Sequence, residues 1–146
     1  MSSIATFLWF DNQAEEAARL YTSLIPNSRV KEVTPMTVTF ELDGQQFMGL
    51  NGGPHYKLNE AASIFVSCES QERVDDLWDR LTADGGQEGP CGWLKDRFGL
   101  SWQIIPKELP ALLGDPDPAR AAKASTAMRA MKKIDIKELL AAVEQA

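Results

Sequence analysis

Two rhythms of apolar residues alternate along this chain, and the places where one gives way to the other mark out its elements. An apolar run, Ile4 to Phe10, passes through a polar turn into a stretch with Ala14, Ala17, Ala18, Tyr21, Leu24 and Ile25 on one helical face. Asn12 and Glu15 have capping-box spacing at its start, and Pro26 ends it. The period then falls to two. Residues 29–34, 36–42 and 46–50 alternate as strands, the last two joined by a turn at Asp43-Gly44.

A shift of 57 residues lays this pattern on itself: Leu8 falls on Phe65, Trp9 on Val66, Glu15 on Glu72, Leu20 on Leu77, Tyr21 on Trp78 and Leu24 on Leu81. The second copy predicts a helix from Ser70 to Gly85-Gly86, with Val74, Leu77, Trp78 and Leu81 on one face. Strands follow over 87–91, 92–95 and 100–105, and Asp96-Arg97-Phe98-Gly99 reads as a type I turn between the last two. Each copy is strand, helix, strand, strand, strand. The expected fold is therefore α+β, two βαβββ modules forming a cupped mixed sheet, with module 1 over about 1–55 and module 2 over about 60–108 of a domain 1–110. One helix covers only one face of a four-stranded sheet, so the bare faces are expected to form a concave ligand surface. Pro106 and Pro110 close the repeat, and Asp115-Pro116-Asp117-Pro118 reads as a turn or linker. Helical patterns over 119–131 and 136–143, with an apolar stripe of Ala121, Met128 and Met131, make residues 111–146 a tail that packs on the body or on a partner.

Composition narrows the class. A chain of 146 residues, 44% apolar and 25% charged, has the make-up of one globular domain. Its longest apolar run falls far short of the roughly 20 residues that cross a bilayer and lacks a basic leader, which predicts a cytoplasmic protein without a membrane partner. A net charge of −6 repels nucleic-acid phosphates, so nucleic acid is not an expected partner. Residues 119–146 hold six basic and three acidic side chains, +3 against −9 for the rest, which suits a basic tail lying on an acidic body or on a second copy. Cys68 and Cys91 form no CxxC pair and read as free thiols in a reducing compartment.

Residues able to do chemistry are sparse. His55 is the only histidine and lies in the loop NGGPHYK, where a solvent-facing ring is the default. Glu41 and Glu60 sit at strand and loop ends, and Asp75, Asp76 and Asp79 lie on the helix face opposite the apolar one, a solvated surface. No nucleophile elbow or triad can be assembled, so no catalytic residue is assigned. The NGGP turn lacks phosphate-loop spacing, and its proline removes a donor.

Taken together, FLWFDNQAEEAARLYTSLIPNSRV, LNGGP, SIFVSCESQERVDDLWDRL, GWLKDRFGLSWQIIP and the closing AMRAMKKIDI resemble the PhnB-like branch of the vicinal oxygen chelate superfamily, which includes glyoxalases and bleomycin-resistance proteins, over nearly the whole chain. The resemblance implies paired βαβββ modules, commonly in a homodimer. It also implies His and Glu metal ligands on the first and last strands of each module. Those positions fall on Thr6, Ser63, Gln103 and either Phe47 or Met48 here. Two hydroxyls, an amide and an apolar side chain bring no charge to offset cation dehydration, so no metal and no cofactor are expected. Relatives in this branch are often labelled 3-demethylubiquinone-9 3-methyltransferases; the chain has no glycine-rich turn after a first strand followed by an acidic ribose-binding position, which adenosyl-methionine enzymes of the doubly wound fold need.

Strand alternation then assigns the inner wall. Thr6, Leu8 and Phe10 share one face of the first strand, Ser63, Phe65 and Ser67 one face of its mate, and Ser101 and Gln103 line the last strand with Met48 from the first module. Trp9 and Trp102 fall on the opposite faces as packing anchors, and Trp93 is expected to pack likewise. Such a wall suits a small apolar or aromatic organic ligand held by shape and a few hydrogen bonds. The expected function is metal-independent small-molecule binding by a homodimer. The alternatives are a lyase, isomerase or dioxygenase of the same superfamily, and a non-catalytic interacting subunit docking through its tail.

Overall fold

The computed structural model describes residues 3–145. The chain divides into two compact units, Met1–Asn59 and Glu60–Ala146. In the first, β1 (Thr6–Phe10) leads through a three-residue link into α1 (Ala14–Leu24), followed by β2 (Arg29–Val33), β3 (Thr37–Leu42) and β4 (Gln45–Asn51). In sheet order these strands run β1-β4-β3-β2. β1 is parallel to β4, and the other neighbours are antiparallel. The Asp43-Gly44 hairpin forms as expected, both residues at positive φ, the backbone that a tight two-residue turn requires.

The second unit repeats this plan. β5 (Ser63–Cys68), α2 (Gln71–Thr82), β6 (Gln87–Glu88), β7 (Trp93–Lys95) and β8 (Ser101–Pro106) give the order β5-β8-β7-β6, with β5 parallel to β8. Each unit is therefore a βαβββ module with a mixed sheet. Three helices then follow, α3 (Glu108–Leu113), α4 (Pro118–Arg129) and α5 (Ile136–Glu144). Among the described residues no helix is long and apolar enough to cross a membrane.

α1 and α2 each bury an apolar stripe on one face of their own sheet. In the first module Ala14, Ala17, Ala18, Tyr21 and Leu24 are buried, as are Leu8, Phe10, Val38, Phe40, Leu42 and Phe47 of the strands. Tyr21 lies 6.3 Å from Phe40, which stacks on Phe47 at 5.3 Å. Gly49 sits where helix and sheet come closest: an added Cβ would meet Val38, Ala14 and Phe10. In the second module Val74, Leu77, Trp78 and Leu81 cover Leu94, Trp102, Ile104 and Cys68, all buried. Fully burying each such large side chain contributes roughly 1.5–3 kcal/mol, which is why the helix stripe decides the sheet's inner face.

The helix ends differ from the expected caps in one case. Ser70 caps α2, its hydroxyl accepting from the Arg73 N–H at 3.2 Å. The α1 capping box does not form. Gln13 is the cap residue, and the Ala14 N–H donates instead to Asn51 Oδ1 of β4 at 2.9 Å, so a distant strand supplies the acceptor that Asn12 was expected to provide.

The tail packs on its own module. Ile105, Leu109, Ala124, Ile134, Leu139 and Val143 form a buried cluster, with Met128 and Met131 half-buried against it. The Asp-Pro-Asp-Pro segment, expected as a linker, is a capping device as well: Asp115 accepts from the Asp117 N–H, and Asp117 caps α4 with Pro118 in its first turn. α3, which the prolines concealed, carries Pro110 within its first turn, where a missing N–H costs nothing. An ion pair of Lys133 with Asp75 at 2.9 Å ties the tail to α2. The Gln71 amide, and then Lys133, hold the Asp75 carboxyl below its ordinary range, while Asp75 holds Lys133 above its own. The Asp75 contribution is thus present above the ordinary carboxylate range and lost as pH falls through its depressed value. That of Lys133 is present below the ordinary lysine range and lost at higher pH. The expected result is that amide exchange of α5, corrected for intrinsic rates, is slower at pH 7 than at a pH below the depressed Asp75 range or above the raised Lys133 range; equal protection at all three would contradict the pairing.

Candidate ligand-binding site

A one-residue difference in the strand-to-helix link decides which side chains each sheet leaves uncovered. The link is three residues in the first module and two in the second. The helices therefore superpose at a shift of 57, but the strands match in facing at 58: Leu8 corresponds to Val66, and Phe10 to Cys68. A slip of one residue turns every strand side chain to the other face. Hence Leu8 and Phe10, expected on the inner wall, are buried under α1 instead, and Thr6 shares their side at the exposed start of β1. Phe7 and Trp9 take the open face. Met48, register partner of Phe7, is on that face as expected, and Phe47 is under the helix. In the second module Ser63, Phe65, Ser67, Ser101 and Gln103 lie together on the face opposite Trp102 and Ile104, and Trp93, expected as a packing anchor with Trp102, lies on their face instead.

The open face of the first sheet is apolar at one end and charged at the other. Trp9 is a half-buried support for the NGGP loop rather than an anchor under the helix. Its indole N–H donates to the Gly53 carbonyl at 2.9 Å, and its ring meets Tyr56 edge-on at 4.9 Å. Gly52 lies on the indole so closely that a Cβ there would overlap the ring. The loop is thus a packing turn, with His55 exposed beside Tyr56. At the other end Glu41 accepts from Gln46 Nε2 at 2.8 Å and pairs with Lys31 at 3.4 Å and Arg29 at 3.5 Å. The Gln46 bond first, and the two cations after it, hold its carboxyl below the ordinary range. A carboxylate so engaged is a poor general base.

The second module's open face carries neutral hydrogen-bonding groups. Gln103 Nε2 donates to Ser63 Oγ at 3.0 Å, with Phe65, paired in register with Gln103, 54% exposed beside them. Trp93 is also paired with Gln103 and is half-buried on this face. At the β6–β7 edge lies a cavity of about 470 Å³, lined by Pro90, Cys91, Trp93, Lys95 and Ser101 together with Glu60 and Glu88. Lys95 pairs with Glu60, whose carboxyl is held below its ordinary range chiefly by that lysine. Glu88 accepts from the Trp78 indole at 2.6 Å. Ser101 is 1% exposed, and among the described residues its hydroxyl has no hydrogen-bond partner. Ile105, which alternation places with Gln103, is taken up by the tail's core.

Sequence reasoning missed the cavity's wall. Cys91 and Gly92 both adopt positive φ, and their N–H groups donate to the carbonyls of Met131 and Lys132 at 2.8 Å each, so the tail braces the turn. The two thiols differ accordingly. Burial pushes Cys68 up to about 11, whereas Cys91 is half-buried at the cavity. A thiol-disulfide reagent at pH 8 is expected to label one cysteine of the native protein, Cys91, and Cys68 only after unfolding, because the thiolate is the reacting species. Rapid native labelling of a C91S variant would contradict this.

Metal-ligating chemistry is not gathered on either open face. Among the described residues no group of three or more His, Cys, Asp and Glu comes together that could hold an ion. The open-face pairs on the first and last strands are Phe7 with Met48 and Trp9 with Leu50 in the first module, and Ser63 with Ser101, Phe65 with Gln103 and Ser67 with Ile105 in the second, so neutral hydroxyls join the donor set. Hydrocarbon, thioether, neutral hydroxyl and amide do not fit a divalent cation, which needs anionic or imidazole donors.

A family model described as 3-demethylubiquinone-9 3-methyltransferase matches residues 2–105. That match spans both modules but not α3–α5, so the likeness expected to include the tail stops short of it. Among curated proteins none matches the chain in sequence. A solved PhnB protein of Bacillus cereus, which carries the same methyltransferase name, is 32% identical with a TM-score of 0.62, over 72% of this chain and 99% of that one. A protein of Pseudomonas aeruginosa (18% identity, TM-score 0.58, 73% and 98% covered) shares the fold. So does a genomically encoded fosfomycin resistance protein of Listeria monocytogenes (16%, 0.52, 73% and 93%).

Proposed function

The chain belongs to the PhnB-like 3-demethylubiquinone-9 3-methyltransferase family, of the vicinal oxygen chelate superfamily, and we propose that it binds a small apolar or aromatic molecule without a metal. The observation that carries this reading is the composition of the second module's open face: Phe65 and Trp93 beside Ser63, Ser67, Ser101 and Gln103, with no anionic or imidazole donor among them. Met48 and Phe7 of the first module offer a second apolar surface. Methyl transfer from adenosyl methionine gains no support from the residues. The links after β1 and β5 are Asp11-Asn12-Gln13 and Glu69-Ser70, without the glycines that admit a phosphate or ribose at a strand-to-helix turn. Phe7, 53% exposed, and Phe65 leave apolar area that a homodimer would also use.

The test is a thermal-shift screen of aromatic and amphipathic compounds on metal-stripped protein, with sizing in parallel. A ligand that binds only the folded state raises Tm by mass action. The expected result is a set of aromatic hits that persists in chelator, from a protein that elutes as a dimer. Hits that vanish with chelator and return with one metal would replace this reading by a metal-dependent one.

A further inference from the structure

Resting on that reading, we infer that the cavity at the β6–β7 edge takes a neutral aromatic molecule bearing one hydrogen-bond acceptor, anchored by the Ser101 hydroxyl. A buried hydroxyl without a partner is uncommon and unfavourable, and a ligand that supplies the partner removes that cost on binding. Ser101 meets this description and lines a cavity of about 470 Å³, within the range of small-molecule sites. The Trp93 ring and Pro90 give it flat apolar walls, which select a planar body.

Charge selects a neutral ligand. Lys95 is already paired with Glu60, and Glu88 with the Trp78 indole. An entering carboxylate would meet two carboxylates and an ammonium already engaged; an entering ammonium would leave water for acids that have partners. Proton bookkeeping selects an acceptor. If the ligand donated to Ser101, the serine's own proton would stay unpaired in the cavity. If Ser101 donates to a ligand carbonyl, only lone pairs go unfilled, the milder deficit.

Acetophenone, ethylbenzene and benzoate share one ring and differ at the group facing Ser101, so they serve as probes, titrated into the full chain and followed by backbone amide NMR. Acetophenone is expected to shift the Trp93 and Ser101 signals and to bind about five- to tenfold more tightly than the other two, the range one neutral hydrogen bond supplies. S101A should retain or raise Tm, since it deletes an unpaired polar atom, and should bind acetophenone no better than ethylbenzene. Tightest binding by benzoate, an unchanged preference in S101A, or shifts confined to Phe65 and Gln103 would overturn the inference and leave the small-molecule reading standing. Absence of binding by all three to the wild-type protein, together with an empty screen, would overturn both.

Discussion

Asp96→Leu is expected to lower the stability of the protein by about 3–5 kcal/mol, because three N–H groups depend on one buried carboxylate. Asp96 is 3% exposed. Its Oδ1 accepts from the Phe98 N–H at 2.9 Å and the Leu100 N–H at 3.1 Å, which fixes the turn. Its Oδ2 accepts from the Trp102 indole at 2.9 Å, and Trp102 is fully buried under α2. Leucine keeps the branched outline of the side chain but removes the carboxylate that the indole N–H and both turn amides use as acceptor, and each buried group left unsatisfied costs about 1–3 kcal/mol. Asp96→Asn keeps one acceptor oxygen and should lose about 1–2 kcal/mol, since the bonds are no longer charge-assisted. Urea unfolding with a common slope measures both. A loss under 1 kcal/mol in Asp96→Leu would mean that the turn, and not the carboxylate, holds the indole in place.

The same residue shows how far the sequence could be read. Asp opening and Gly closing the 96–99 turn is a local signal, and the turn forms with the Gly99 N–H donating to the Asp96 carbonyl at 3.0 Å. That the carboxylate would also reach Trp102 depends on strand pairing, which local spacing does not encode. Helices α1, α2, α4 and α5 were legible because their apolar stripes and stop signals are local. The open face of the first sheet was not. The shift that aligns the two helices carries a hidden one-residue difference in the link, and period-two patterns have no tolerance for such a slip. Leu8 and Trp9 are both apolar, so composition could not arbitrate between them. In the second module Ser63 and Ser67 alternate with Ile64 and Val66, and the polarity difference fixed the facing correctly. The cavity escaped notice for a different reason: its wall at 89–92 is held by tail residues some 40 positions away, through backbone groups that every residue possesses.

That long-range brace sets the second large expectation. Gln71 stands at the start of α2 and spends two of its three amide bonds on the tail: Nε2 donates to the Ile134 carbonyl at 2.9 Å and Oε1 accepts from the Ile136 N–H at 2.8 Å, while Nε2 also donates to Asp75 of α2 at 3.0 Å. The Ile136 N–H is one of the first-turn donors that α5 cannot satisfy itself, and Asp135 serves a different one, at Glu138. Gln71→Ala should therefore weaken tail docking by about 2 kcal/mol, raising the open population of 131–145 about thirtyfold. Because Met131 and Lys132 hold the Cys91 and Gly92 amides, the opening should release the turn that walls the cavity. Cys91 labelling at pH 8 is expected to accelerate by about tenfold or more in Gln71→Ala, with the first module's amide exchange unchanged, as local opening requires. Were Cys91 to react at the wild-type rate while α5 lost its exchange protection, the tail and the cavity wall would be energetically separate. The brace would then be a crossing of backbones without consequence for the site.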